Sequence, residues 1–460
     1  MNPHIFREYD IRGVVGSDLT GESVYELARA IGTFYRNNNA KRVSLGRDAR
    51  ESSPKFRDLM ARGLNETGCD VIDVGMVPTP LLYFTLFTEG VDGGVMITGS
   101  HNPPNENGFK ICLGKSTIFG PQILEIKQIA ESGRFAEGRG SLEERDIITR
   151  YQDYVASNVK LGPRRLKVVV DAGNGMGGFV AAPLYRRMGC EVIELFCEPD
   201  SRFPNHHPDP TVVENMRYAI EAVKERRADL AIAFDGDADR IGVVDEQGRI
   251  IWGDQLMILF ARAILKERPG ATFIAEVKCS QTLFDEIRRA GGTAIMWKVG
   301  HSLIKAKMKE TGAAMAGEMS GHMFFADRYF GYDDAIYAGA RLLEILSHTE
   351  GALSSLLADL PQTFYTPEIR IACPDDKKFD VVRRLAEEFS KTNEVIAVDG
   401  ARVVFEHGWG LVRASNTQPV LVLRFEADSE KSLEEIRRMV EAKAGEFVCA
   451  DERPEDESGK

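Results

Sequence analysis

The sequence predicts an α/β protein: three related α/β domains with mixed sheets around a central cleft, then a C-terminal α+β domain. Three observations predict it. The chain has 460 residues, more than one hydrophobic core usually serves. Short apolar runs alternate with amphipathic stretches, the pattern of layered strands and helices. One strand–loop–helix–strand unit recurs three times in the same order, and the last hundred residues abandon it.

The first copy opens with a strand over 41–47, a helix to Glu66, Thr-Gly-Cys, and a strand over 70–74. The second opens at 166–170, passes a Gly-rich loop and a helix through Arg187, then Met-Gly-Cys and a strand over 192–196. The third opens at 271–277, with a helix through Arg289, Ala-Gly-Gly and a strand over 293–297. In each copy a glycine follows the helix, as a C-cap does before the chain re-enters a sheet. The polar stretch 131–145 and the stretches near 250–255 and 361–367 separate the units. The domains expected are therefore 1–148, 149–250, 251–363 and 364–450. In the last, 366–372 and 394–406 read as strands with Asp399-Gly400 as a hairpin turn, and 376–389 and 429–443 as helices. The acidic tail 451–460 is expected to be disordered.

Bulk properties exclude several classes. Net charge is −12 with a pI near 5.4, the wrong sign for a nucleic-acid backbone binder. The N-terminus lacks the apolar core of a signal peptide, and apolar stretches such as 255–265 are too short to span a bilayer. Seven scattered cysteines without a Cys-x-x-Cys pair read as reduced core thiols. A cytoplasmic protein with neither nucleic-acid nor membrane partners is expected.

Two loops carry the chemistry. Residues 98–104 read Thr-Gly-Ser-His-Asn-Pro-Pro after an apolar strand at 91–97. Gly99 permits a sharp turn and the prolines stiffen its exit, so Ser100 is presented on a rigid strand end. Residues 235–240 read Asp-Gly-Asp-Ala-Asp-Arg after a strand at 231–234. Asp235, Asp237 and Asp239 would repel one another unless a cation neutralised them, and Mg²⁺ takes carboxylates while leaving room for a phosphate oxygen. The pair points to phosphoryl transfer through a serine supported by a divalent cation.

Two decoys share the chain. Glu246 stands twelfth from Asp235, as in an EF-hand, but Arg240 replaces the sixth-position Gly and strands flank the loop. Gly173-Asn174-Gly175-Met176-Gly177-Gly178 fits the dinucleotide pattern, with Glu191 or Glu194 downstream, which would suit an NAD-dependent oxidoreductase. The other copies lack these glycines.

Two later loops add to the pattern. In Gly-Glu-Met-Ser-Gly-His (317–322), Glu318 and Ser320 suit neighbouring sugar hydroxyls, and His322 can handle charge or a proton. In Arg-Ala-Ser-Asn-Thr (413–417), Arg413 with Ser415, Asn416 and Thr417 suits a phosphate oxyanion.

With all four loops in order over nearly its whole length, the chain resembles the bacterial phosphomannomutases/phosphoglucomutases of the α-D-phosphohexomutase family. The resemblance implies an isomerase that interconverts hexose 1-phosphate and hexose 6-phosphate, of mannose and/or glucose. Ser100 would carry the phosphoryl group, and with Asp235, Asp237 and Asp239 that group would hold Mg²⁺. A hexose 1,6-bisphosphate would be both intermediate and activator. Arg12 (in Glu-Tyr-Asp-Ile-Arg-Gly) and Lys110 (in Asn-Gly-Phe-Lys) would line the transfer site with His101 and Arg240. Lys110 is the first choice of general acid/base and His322 the second. Lys278 and His301 would reach the substrate from the third domain, Glu318 and Ser320 would bind sugar hydroxyls, and Arg413, Ser415, Asn416 and Thr417 would clamp the remote phosphate near Tyr9. The partners implied are small hexose phosphates, met by a monomer.

Ala238 stands where many members carry Gly, and Val299 where Thr is expected. Phosphoglucosamine mutases, the nearest alternative, typically carry Ala at the Gly99 position and Gln at the Met319 position. A metal-dependent serine phosphatase would also want Ser100 and the aspartates, but not the sugar and phosphate loops.

Overall fold

The computed structural model describes residues 1–415 and 419–450, with side chains through 448; Asn416, Thr417 and the acidic tail lie outside the described residues. The chain forms two compact units: residues 1–274, 286–294 and 300–359, and residues 275–285, 295–299 and those from 360 on.

In the first unit, one sheet runs in the order Ile11–Val14, Glu106–Leu113, Gly93–Ile97, Arg42–Arg47, Asp70–Met76, Leu142–Glu144. Arg42–Arg47 pairs parallel with both Asp70–Met76 and Gly93–Ile97. Glu106–Leu113 returns antiparallel to Gly93–Ile97, which makes the sheet mixed and sets Lys110 opposite Met96. Every residue of Gly93–Ile97 is buried, so that strand reads as an unbroken apolar run. The polar stretch 131–145 is more than a linker, because Leu142–Glu144 extends this sheet by pairing with Asp70–Met76.

Helix Gly21–Asn37 covers one face of the sheet. Thr20 and Ser23 close its first turn as a capping box. Val24, Leu27, Ala28, Ile31 and Tyr35 recur at helical spacing and are buried, facing Val43, Leu45, Val95 and Ile97 in one core.

The second sheet runs Ile250–Ile251, Ile241–Asp245, Leu230–Phe234, Lys167–Asp171, Glu191–Leu195. Strands Thr293–Trp297, Thr272–Glu276, Met315–Gly317 and Met323–Phe325 follow in order in a third. Gly68, Gly189 and Gly291, which end the helices of the three copies, all have positive φ as the C-cap reading requires.

A buried carboxylate ties these layers together. Asp334 caps helix Ala335–Ser347 by accepting from Tyr337 N at 2.8 Å, and it also accepts from Tyr151 and Tyr329 hydroxyls at 2.9 Å. Tyr151 belongs to helix Ile148–Asn158, and its ring meets edge-on Phe84 of helix Thr79–Thr88 at 5.5 Å. Three helices far apart in the sequence thereby share one aromatic cluster.

The second unit contains a separate antiparallel sheet in the order Phe364–Tyr365, Val420–Ala427, Gly408–Ala414, Ala401–Phe405, Glu394–Ile396, with Ile369–Ala372 also on Val420–Ala427. Gly400 has φ +97°, as the Asp399-Gly400 turn demands. Helices Lys378–Phe389 and Glu430–Ala450 cover the sheet. The last helix runs past its expected end at 443 because Ala444, Phe447 and Val448 continue its apolar face into the core.

Burial pushes the Asp334 carboxyl up to about 6, against an ordinary value near 4. Its native form therefore keeps a proton that the unfolded chain releases. The stabilisation from this group is complete below about pH 4 and is lost as pH rises through about 6, roughly 3 kcal/mol in all. Asp334→Asn cannot titrate, so urea unfolding of the variant should decline less between pH 4 and 7 than that of the wild type. Parallel curves would contradict this.

Candidate active site

Three loops from three sheets meet in the first unit. Ser100 follows strand Gly93–Ile97, is buried, and holds a left-handed backbone at φ +48°. Its Oγ donates to Asp235 Oδ2 at 2.9 Å and lies 3.1 Å from His101 Nδ1. Asp235, Asp237 and Asp239 open from the buried strand Leu230–Phe234, and their ligand oxygens lie within 4.8 Å of one another. Strand Ile241–Asp245 leaves the loop, which excludes the helix-flanked calcium hand.

Cationic groups close around the triplet. Lys110 Nζ donates to Asp237 Oδ2 at 2.8 Å and also to Asp239 Oδ2. Burial opposes its charge, but the Asp237 and Asp239 carboxylates outweigh burial and hold Lys110 protonated. His322 Nδ1 lies 2.6 Å from Glu318 Oε2 and its Nε2 3.2 Å from Asp239 Oδ1. Burial again opposes charge, yet Asp239 raises the imidazole to about 9. As an imidazolium it donates from both nitrogens, and the approach of Arg240 Nε at 3.3 Å is then a like-charge contact. The guanidinium of Arg240 and burial push His101 the other way, below its ordinary range.

The triplet is still short of positive charge. Burial, then Asp239 and Asp237, push Asp235 well above the usual carboxylate range. Asp237 Oδ1 is buried with no hydrogen-bond partner among the described residues. Oxygen-only donors, a surplus of buried negative charge and an orphan carboxylate oxygen fit a hard divalent cation.

Other expected residues of this unit gather at the same place. Arg12 bonds Asp10 through Nε at 2.9 Å and reaches Asn102 Oδ1 of the serine loop at 3.2 Å. Glu318 accepts from Gly300 N at 2.8 Å with its second oxygen, and Ser320 Oγ lies 3.5 Å from His322. His301 Nδ1 lies 3.4 Å from Asp333, which also pairs with Lys305, and its ring lies between those of Tyr9 and His322, at 6.2 and 5.8 Å.

Lys278, Arg413 and Ser415 belong to the second unit, so Lys278, with residues 275–285 and 295–299 of the third repeat and its flank, is grouped with the C-terminal sheet. Arg402, fully buried, donates to the carbonyls of Val277 and Cys279 at 2.6 and 2.8 Å, and Arg424 to that of Lys278 at 2.8 Å. Lys278 Nζ pairs with Glu368 at 2.7 Å. Arg413 pairs with Asp399, whose carboxylate also accepts from Val299 N at 3.0 Å. Val299, where Thr was expected, packs on Val277, Trp409 and Leu411, which suits an apolar side chain.

Some supporting groups carry no signal in the sequence. Thr79 donates to Asp237 Oδ2 at 2.5 Å from 158 positions away. Asp333, Glu368 and Asp399 are acids that only the fold makes partners of His301, Lys278 and Arg413, whereas Asp10 stands two positions from Arg12.

The dinucleotide-like glycines have another use here. Met176 N donates to Gly236 O at 2.9 Å, and a Cβ on Gly175 would lie 2.8 Å from that oxygen. A Cβ on Gly177 would lie 2.6 Å from the Phe234 ring. These glycines let the second sheet's first loop pack against the acidic loop.

The fold and the site together define a phosphosugar-mutase type of protein, and comparison with known sequences agrees. Models of the four phosphoglucomutase/phosphomannomutase domains match in order: α/β/α domain I at residues 3–137, domain II at 149–248, domain III at 252–364 and the C-terminal domain at 368–443. A phosphoglucomutase of Neisseria gonorrhoeae is 49% identical over 95% of this chain and 96% of its own length. A phosphomannomutase/phosphoglucomutase of Pseudomonas aeruginosa is 49% identical over 94% of each. A crystal structure of a family protein from Burkholderia thailandensis, 44% identical, superposes with a TM-score of 0.91 over 97% of this chain and 98% of that one. The chain belongs to the phosphoglucomutase/phosphomannomutase family.

The acidic loop's backbone offers a paired test. A Cβ on Gly236 would lie 2.2 Å from the Ser100 carbonyl oxygen, so Gly236→Ala should cost about 1–3 kcal/mol in urea unfolding. Ala238 has φ +60°, a strained setting for a side chain, and Ala238→Gly should stabilise by up to about 1 kcal/mol. Neutral effects at both positions would show that the loop is not held as described.

Proposed function

We propose that the chain interconverts hexose 1-phosphate and hexose 6-phosphate, of mannose and/or glucose, through phosphoserine 100 and a hexose 1,6-bisphosphate. The observation that carries this is the Ser100 hydroxyl seated on Asp235 within a buried acidic triplet, ringed by Lys110, Arg240 and His322.

Asp235, Asp237 and Asp239, with the phosphoryl group on Ser100, would hold Mg²⁺. When bound, the ion supplies neutralising charge for the transferring phosphoryl oxygens. The chain's own groups do the rest. Lys110 and His322, both held as cations, stabilise charge on those oxygens; Lys110, or His322 as second choice, would give a proton to the departing serine oxygen, and the attacking sugar hydroxyl would return one to the group that gave it. Arg12, Arg240 and His101 line the same loop. Glu318 has both oxygens engaged by protein donors, so sugar hydroxyls would meet its remaining lone pairs beside Ser320. Lys278, His301 and Tyr9 would contact the substrate, and Arg413 and Ser415 with Asn416 and Thr417 would bind the phosphate that is not being transferred. After the first transfer the bisphosphate turns over, and its other phosphate returns to Ser100.

Among the described residues no helix is long and apolar enough to cross a membrane. The six cysteines with described side chains are buried free thiols, which suits the reducing cytoplasm.

Ser100→Ala should fold normally, carry no phosphate by intact mass, and lose about 10³-fold or more in turnover of glucose or mannose 1-phosphate followed by phosphorus NMR. Wild-type turnover in that variant would remove Ser100 from the reaction.

A further inference from the structure

The serine loop is built around a side chain that has no place in the chemistry above. Arg50, 2% exposed, lies inside the turn formed by residues 99–106. Its Nη1 donates to the carbonyls of Pro103 at 2.5 Å and Glu106 at 2.8 Å. Its Nη2 donates to those of Asn102 at 2.6 Å and Ser100 at 2.9 Å. On the remaining edge, Nε faces Asp48 Oδ2 at 3.2 Å, and the same oxygen accepts from Gly99 N at 3.0 Å. Asp48 is fixed in turn by Ser53 Oγ at 2.6 Å and Arg50 N at 3.0 Å.

Two close approaches make this arrangement selective. A Cβ on Gly99 would lie 2.3 Å from the Arg50 guanidinium carbon, so the guanidinium occupies the space that any side chain at 99 would need. The Ser100 carbonyl is caught between Nη2 and Gly236, whose added Cβ would lie 2.2 Å from that oxygen. Ser100 itself keeps φ +48°, a conformation costing a non-glycine residue of order 1 kcal/mol or more, so its surroundings must impose it. A relaxation of φ at Ser100 rotates its carbonyl and its Cβ together about the N–Cα bond, so it would carry Oγ off Asp235.

We propose that Arg50 is a positioning residue for Ser100: its planar fork, bound to four loop carbonyls, holds the left-handed serine that aims Oγ into the acidic triplet. The proposal rests on the phosphoserine reading above. Arg50 touches no reacting atom and acts through the backbone. A lysine ammonium, a compact donor without the planar fork, cannot span carbonyls arranged around a plane.

The test compares Arg50→Lys and Arg50→Gln with the wild type in the full chain, with near-ultraviolet circular dichroism and urea unfolding as folding controls. Each should lower kcat by about 100-fold while KM for hexose 1-phosphate stays within about threefold, because substrate-binding groups are untouched. Phosphorylation of Ser100 from glucose 1,6-bisphosphate, followed by intact mass, should slow by a similar factor. Should Arg50→Lys fail to fold, Arg50→Gln decides, since its uncharged amide can serve at most two of the four carbonyls. A kcat per folded molecule within about threefold of wild type would overturn the role of Arg50. A wild-type chain unable to turn over hexose phosphates would instead overturn the phosphoserine reading, so the two failures are distinguishable.

Discussion

Three carboxylates at alternate positions of one buried loop are the constraint on which the first unit is built. Repulsion among Asp235, Asp237 and Asp239 is answered from every direction: Lys110 from an antiparallel strand of the first sheet, Thr79 from a helix start, His322 from the third sheet. Those answers work only if three sheets present their loops at one point. The aromatic cluster around Asp334, shared by three helices far apart in the sequence, gives them a common foundation. Even so, burial, then Asp239 and Asp237, leave Asp235 well above the usual carboxylate range.

A second theme is how loops that must expose chemistry keep their own backbone in order. A tight functional turn points several carbonyls inward, and each needs a donor. Both units meet that need with a buried guanidinium, Arg50 beneath the serine loop and Arg402 beneath the loop of Lys278. Arginine suits the task because its fork offers five donors in a fixed plane. Glycines do the complementary work at Gly175, Gly177 and Gly236, where backbones approach too closely for any Cβ.

Much of this was legible in the sequence, and the rest was hidden for physical reasons. The repeated strand–loop–helix units announced themselves through apolar runs and C-cap glycines, both local signals. Ser100 and the acidic triplet were legible because their spacing carries chemistry by itself. The Gly173–Gly178 pattern misled because close packing and phosphate binding ask the same thing of glycine. Ala238 showed only as a departure from the family pattern, while its left-handed φ belongs to the fold. The end of the last helix was missed because tertiary packing of Phe447 and Val448 carries it onward. Thr79, Asp333 and Arg50 gave no signal, and Asp399 showed only as a turn residue, since each acts on a partner fixed by tertiary structure. The grouping of Lys278 with the C-terminal sheet likewise depends on arginines more than a hundred positions away.

Calorimetric titration of EDTA-stripped protein with Mg²⁺, run alongside Asp237→Asn, addresses the buried charge most directly. Saturable binding of about one ion per wild-type chain, lost or strongly weakened in the variant, is the result expected of a hard-cation site. Absence of binding to the wild type, or equal binding by both proteins, would contradict the assignment of the triplet as a metal site.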